Sequence, residues 1–152
     1  MKHTYGILLL TGALLLVSCA QPEGSMREKE DETKMKHQIQ ITVADQTITA
    51  DLADNEAAAE LLELLKEGDV TITLSEYGGF ERVGELPRTL TSNDRNMQAK
   101  PGDVMLYQSS SIVFFYGTNR WAYTKLATIS DLRADEIKSF FDQDDTAVLS
   151  MP

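Results

Sequence analysis

The chain has 152 residues, 42% hydrophobic and 25% charged, with a formal net charge of -10; that suits one globular domain with extensions and is too acidic to lie against a phosphate backbone, so nucleic-acid binding is excluded. One cysteine and two histidines leave too few parts for a disulfide framework, a zinc site or a His-dependent triad, and no HExxH, GxGxxG or P-loop occurs. Neither a metal nor any other cofactor is therefore expected.

The first element is a leader. Met1-Lys2-His3 is a short basic start, Ile7–Val17 is an apolar run, and Leu16-Val17-Ser18-Cys19 closes it. The run falls short of the roughly 20 apolar residues that a membrane-spanning helix needs. Leu-Val-Ser-Cys resembles the lipobox of bacterial lipoproteins, against the alternative of an ordinary secretory leader with an incidental cysteine. The resemblance implies diacylglycerol transfer to Cys19, cleavage before it and N-acylation of the new terminus. A lipid-anchored protein of the cell envelope follows, its domain outside the cytoplasm. Ala20 stands where an aspartate would retain it at an inner membrane, so an outer-membrane position is open to it. Residues 19–37 are polar and charged with no apolar stripe, and are expected to form a flexible tether.

The domain is expected over 38–152. Ile39, Ile41 and Val43 alternate with polar residues, Ala44-Asp45-Gln46 turns, and Ile48, Ala50 and Leu52 alternate again, which predicts a β-hairpin with one buried face. Asp54-Asn55 offers an N-cap for a helix over Glu56–Lys66, whose Ala57, Leu61, Leu64 and Leu65 form one stripe, with Gly68 at its end. Val70–Leu74 reads as a strand, Glu76–Gly84 as a break caused by two adjacent glycines, Leu86–Thr91 as a short strand and Ser92–Gly102 as a polar loop.

From Pro101 to Leu126 the composition predicts a meander of three strands, Val104–Gln108, Ser111–Tyr116 and Trp121–Leu126, dense enough in aromatic and β-branched residues to be the core of the sheet. Ser130 or Asp131 caps a second expected helix, Leu132–Phe141, and Asp144–Met151 ends the chain as an edge strand. The pattern is mainly β with two helices. About eight short strands argue for a small closed β-barrel capped by the helices.

Three places offer side chains suited to a ligand. Tyr77-Gly-Gly-Phe80-Glu81-Arg82 sets a cation among aromatics, and Arg82 can either donate to a carbonyl or pair with Glu81 or Glu85 at the surface. Trp121 can floor an apolar pocket or fill the barrel. Ser92-Asn93-Asp94 can line a pocket or simply make a turn.

The succession YGGFExVG, an SND loop, PGDxxLYQ and IVxFYGxNxWxYTxL resembles the bacterial cyclophilin-like domain proteins, over about Gln38 to Leu126. The resemblance implies a small closed barrel capped by two helices. Cyclophilins proper are peptidyl-prolyl isomerases, and Phe80-Glu81-Arg82-Val83 is similar to their Phe-His-Arg-Val/Ile segment. By that match Arg82 is the candidate catalytic donor and Phe80 lies in the hydrophobic pocket. Ile112-Val113-Phe114-Phe115 is similar to the run whose aromatic packs on the proline ring, which implies Phe115 or Phe114. Glu81 replaces their histidine, and their Gln-Gly-Gly-Asp segment has no counterpart after Arg82. The function expected is a membrane-tethered domain binding a peptide or small ligand in a groove among Tyr77, Phe80, Arg82, Phe115 and Trp121. A weak prolyl isomerase and a structural envelope protein that binds only protein partners are the alternatives.

Overall fold

The computed structural model describes residues 37–152. The expected leader over 1–18, Cys19 and the tether up to Lys36 lie outside the described residues. The chain then runs β1 (Gln38–Val43), β2 (Gln46–Leu52), α1 (Glu56–Glu67), β3 (Val70–Thr73), β4 (Ser75–Tyr77), β5 (Glu81–Glu85), β6 (Arg95–Ala99), β7 (Asp103–Tyr107), β8 (Ser111–Phe115), β9 (Asn119–Ile129), α2 (Ala134–Phe141) and β10 (Thr146–Ser150).

The ten strands pair antiparallel in the order β3-β10-β1-β2-β9-β7-β8-β5-β4, with β6 joined to β9 off this path. The two ends of the path, β3 and β4, are neighbours in the chain, separated only by Leu74. Several sequence expectations change here. The glycine pair does not break the structure: Gly78 and Gly79, at φ 65 and 73, turn β4 into β5, since a tight hairpin needs positive φ at its centre. Leu86–Thr91 is not a strand, and the expected polar loop contains β6. The last strand is no edge but lies between β1 and β3.

α1 forms where its stripe meets a cap. Asn55 Oδ1 accepts from Ala58 N at 2.9 Å, and Asn55 Nδ2 donates to Lys125 O at 2.7 Å, so one side chain starts the helix and ties it to β9. Its Leu61, Leu62, Leu64 and Leu65 are buried, each burial favouring the fold by about 1.5–3 kcal/mol before conformational entropy is set against it. α2 begins two residues later than the sequence suggests, with Glu136 Oε2 accepting from Arg133 N at 2.9 Å. The expected cap Asp131 instead accepts from Thr49 N at 2.7 Å.

Every residue of β8 is buried, so both faces of the sheet are covered there. Period-two alternation sends Ile112 and Phe114 into the main core with Leu61, Leu65, Phe140 and Phe141. It sends Val113 and Phe115 into a second cluster with Ala99, Met105 and Tyr123, against which Phe80, Val83, Met97 and Tyr107 pack.

Candidate functional site

The second cluster carries most of the residues singled out for binding. Phe80 follows the glycine turn and is fixed by its own backbone, whose carbonyl accepts from Tyr116 N at 3.0 Å and Gly117 N at 2.8 Å. That approach requires glycine at 117, because a Cβ there would lie 2.6 Å from Phe80 Cβ. The Phe80 ring is then parallel to Phe115, with centroids 6.4 Å apart and planes 4° off. Tyr77 meets the Phe80 ring edge-on at 6.1 Å. Phe115 meets Tyr123 at 5.4 Å, and Tyr123 meets Tyr107 at 6.2 Å. Offset and edge-on contacts are the geometries aromatic quadrupoles favour. Trp121 lies on the same face as Tyr123 by strand alternation, opposite Met97 of β6. Trp121 and Tyr77 are 57% and 64% exposed, so this surface shows rings to solvent at both sides.

Glu81 sits in the middle of it. The ladders place it opposite Tyr77 in β4 and opposite Phe115 in β8. It is 6% exposed, its Oε2 has no hydrogen-bond partner, and burial pushes its carboxyl up to about 7. The Tyr123 hydroxyl is also raised, first by burial and then by the charge of Glu81. Asn119 Nδ2 donates to that hydroxyl at 2.9 Å.

Arg82 is elsewhere. As the next residue of the strand it points to the opposite face, across from Phe114 rather than Phe115, so the expected groove combining Arg82 with Phe80 and Phe115 is not formed. Its Nη1 donates to Asp145 at 2.9 Å and its Nη2 to Asp142 at 3.2 Å. Burial acts to lower the guanidinium, but those hydrogen bonds and charges outweigh it and hold it above its ordinary value. Lys138, chiefly, and Arg82 hold Asp142 below the usual carboxylate range. Glu76, opposite Arg82 in β4, accepts from the Tyr116 hydroxyl at 3.0 Å. Arg82 therefore fastens the α2–β10 connection to β5.

Because Asp142 and Asp145 are 40% and 77% exposed, they rehydrate when the cation goes, and Arg82→Met is expected to destabilise by only about 1–2 kcal/mol. Urea denaturation checks this. Loss of less than about 0.5 kcal/mol would show that the two pairs contribute almost nothing.

Of the predicted site residues, the structure brings together Tyr77, Phe80, Phe115 and, at the margin, Trp121. The sequence reading missed Glu81 and Tyr123 as members of this face. Alternation would have found Glu81 once residues 81–85 were taken as a strand, since Glu81 and Val83 share a side. Asn93 N donates to Thr124 Oγ1 at 2.8 Å and Asp94 accepts from the same hydroxyl at 2.7 Å, so the Ser92-Asn93-Asp94 segment is tied down against β9. A separate groove between α1 and Arg88–Thr91 is lined by Glu56, Glu60, Glu63 and Arg88. Its Glu60 is engaged, accepting from Thr91 N at 2.6 Å and Thr91 Oγ1 at 2.7 Å.

Among the described residues no group of three or more His, Cys, Asp and Glu side chains is placed to hold a metal ion, and no helix is long and apolar enough to cross a membrane. No curated protein matches the chain. A model of the Cyclophilin-like family matches residues 41–151.

Proposed function

Because the chain belongs to the cyclophilin-like family, we propose that it is a ligand-binding domain on that fold, taking a peptide or small molecule on the face of Tyr77, Phe80, Phe115 and Trp121. The observation that carries this is the division of labour in β5. A guanidinium bound to Asp142 and Asp145 on one face stands away from an amide held at Tyr77 and Phe80 on the other, so the aromatic surface serves recognition rather than amide rotation.

Two further parts belong to the proposal. The sheet is read as rolled into a barrel, a reading supported by the continuity of Val70–Tyr77 and by Gly84 of β5, whose missing side chain makes room for Ile72 and Thr73 of β3. Cys19 is read as the lipid anchor that holds the domain in the cell envelope, which the lipobox-like Leu16-Val17-Ser18-Cys19 supports. Cys19→Ser is then expected to move the protein from the membrane fraction to the soluble fraction, and a variant that stays with the membrane would remove the anchor.

Binding is tested by thermal unfolding of the purified protein against a panel of proline-containing peptides and apolar amines and alcohols. A ligand at a hundredfold its Kd stabilises by about 2.7 kcal/mol, and Trp121→Ala is expected to weaken binding about tenfold, as loss of an exposed aromatic anchor does. Equal affinity in that variant would take Trp121 out of the surface. The competing isomerase reading is tested in a protease-coupled proline peptide assay. Turnover abolished by Arg82→Ala would overturn the binding-only proposal. If no small ligand raises stability and crosslinking in membranes recovers a discrete polypeptide, the structural envelope reading replaces it.

A further inference from the structure

Three charged side chains are buried among the described residues: Glu81, Arg82 and Asp103. Arg82 has Asp142 and Asp145. Asp103 has Lys125 and accepts from Lys100 N at 3.0 Å. Arg82 Nε and Glu81 Oε2 are both sealed from solvent without a hydrogen bond, but of the three charges only that of Glu81 has no ion-pair or hydrogen-bond partner at all. Burying a carboxylate without a hydrogen bond or counter-charge opposes folding, so a protein that keeps one inside a ring of aromatics is carrying half of an interaction.

We propose that Glu81 and the rings around it form a subsite for an organic cation, an ammonium group of the kind carried by a lysine side chain or a methylated amine. The inference rests on the aromatic face being the ligand surface and specifies what that surface selects. The carboxylate is the counter-ion. Tyr77, its exposed neighbour across the β4 ladder, supplies the accessible ring surface, backed from inside by Phe115 and by Tyr123, which meets Phe115 edge-on. Aromatic faces carry negative quadrupole density, so they attract an ammonium and repel an anion. The net charge of -10 adds a long-range bias of the same sign. Entry is from the Tyr77 side, because Ser75–Tyr77 is exposed throughout whereas Phe115 is completely buried.

The groups around Glu81 decide how binding depends on pH. From β4 it faces Tyr77, and from β8 Phe115. Two cations share the wider face: Arg95, opposite Tyr123, and Lys125, opposite Met105 and paired with Asp103. Neither contributes to the position of the carboxyl, which burial sets at about 7. A cation binds the ionised form, so affinity rises as pH rises through that value and levels off above it.

The test uses choline and its neutral carbon analogue 3,3-dimethylbutan-1-ol, titrated into the purified full chain and followed by the fluorescence of Trp121, the only tryptophan. At pH 8 choline is expected to bind at least about tenfold tighter than the alcohol, and its affinity is expected to fall about tenfold at pH 6 while that of the alcohol stays level. Glu81→Gln, which keeps the shape, is expected to abolish the preference for choline over the alcohol and its dependence on pH. Equal binding of the two probes by the wild type, or choline binding that Glu81→Gln leaves unchanged, would overturn the cation subsite while the aromatic surface stood. If neither probe binds at any pH, the subsite and the surface it rests on both fall.

Discussion

Glu81→Gln should make the protein more stable, by about 2 kcal/mol at pH 8, and should remove most of the slope of its stability between pH 5 and 7. Burial lifts the folded carboxyl to about 7, against about 4.3 in an unfolded chain. Between these values the folded state holds the proton that the unfolded state has released. Stability from Glu81 is therefore fully present below about pH 4.3, declines as pH rises toward 7, and is not lost further above it. The whole difference converts to about 3.7 kcal/mol. Partial access of water to the carboxyl and the unpaired amide of glutamine bring the expected gain down to about 2 kcal/mol. Asp142 and Glu60, both held below their ordinary values, are ionised in both states across this window and leave the slope to Glu81. Urea denaturation of both proteins from pH 5 to 8 measures it. Equal stabilities at pH 8, with a flat wild-type profile, would show that the carboxylate is solvated and not the unpaired buried charge described above.

Gly84→Ala should be the most damaging conservative change in the sheet, costing about 3 kcal/mol or more. A Cβ at 84 would lie 2.1 Å from Ile72 Cγ2 and 2.8 Å from the Thr73 carbonyl oxygen. The first neighbour is a stiff β-branched side chain that is 1% exposed, and the second is backbone, so neither has anywhere to go. The informative comparison is Gly79→Ala. There a Cβ meets nothing within 4 Å and only the positive φ of 73 is strained, a penalty of about 1 kcal/mol. Ile72→Ala added to Gly84→Ala should recover only part of the loss, because the carbonyl remains. If Gly84→Ala melts within a degree or two of wild type, β5 does not press on β3, and the reading of the sheet as a barrel loses its main support.

How far the sequence revealed this arrangement depended on whether a segment's partner left a mark on it. Ile39, Ile41 and Val43 have one buried side, so their alternation announces β1, and the stripe from Ala57 to Leu65 announces α1. β6 left no such mark: Arg95-Asn96-Met97-Gln98-Ala99 is mostly exposed, and it is a strand because β9 offers a ladder, not because its own residues prefer one. Leu86 and Leu90 misled in the opposite sense. Both are buried, but they are pinned by isolated backbone bonds, Leu86 N to Ser110 O and Leu90 N to Ser109 O, each 2.8 Å, with Pro87 unable to donate between them.

The candidate site divides the same way. The ring-bearing residues were legible as types, but the side on which each stands follows from register, and a register shift of one residue exchanges the two faces. Taking 76–84 as irregular therefore left Arg82 free to be placed beside Phe115. Asp142 and Asp145, which hold it instead, lie in a connection whose position is known only once the chain is folded.

The seat of β10 between β1 and β3 has a consequence for biogenesis. Ile41 is matched to Leu149 and Ile72 to Ala147, so the opening hairpin and β3 wait for residues made far later. A nascent or threading chain that stops short of Ser150 leaves β3 with no ladder at all and an apolar flank open to chaperones and proteases. Acquisition of structure is thus deferred until Thr146–Ser150 is available, at the slow pace that pairings between distant segments impose.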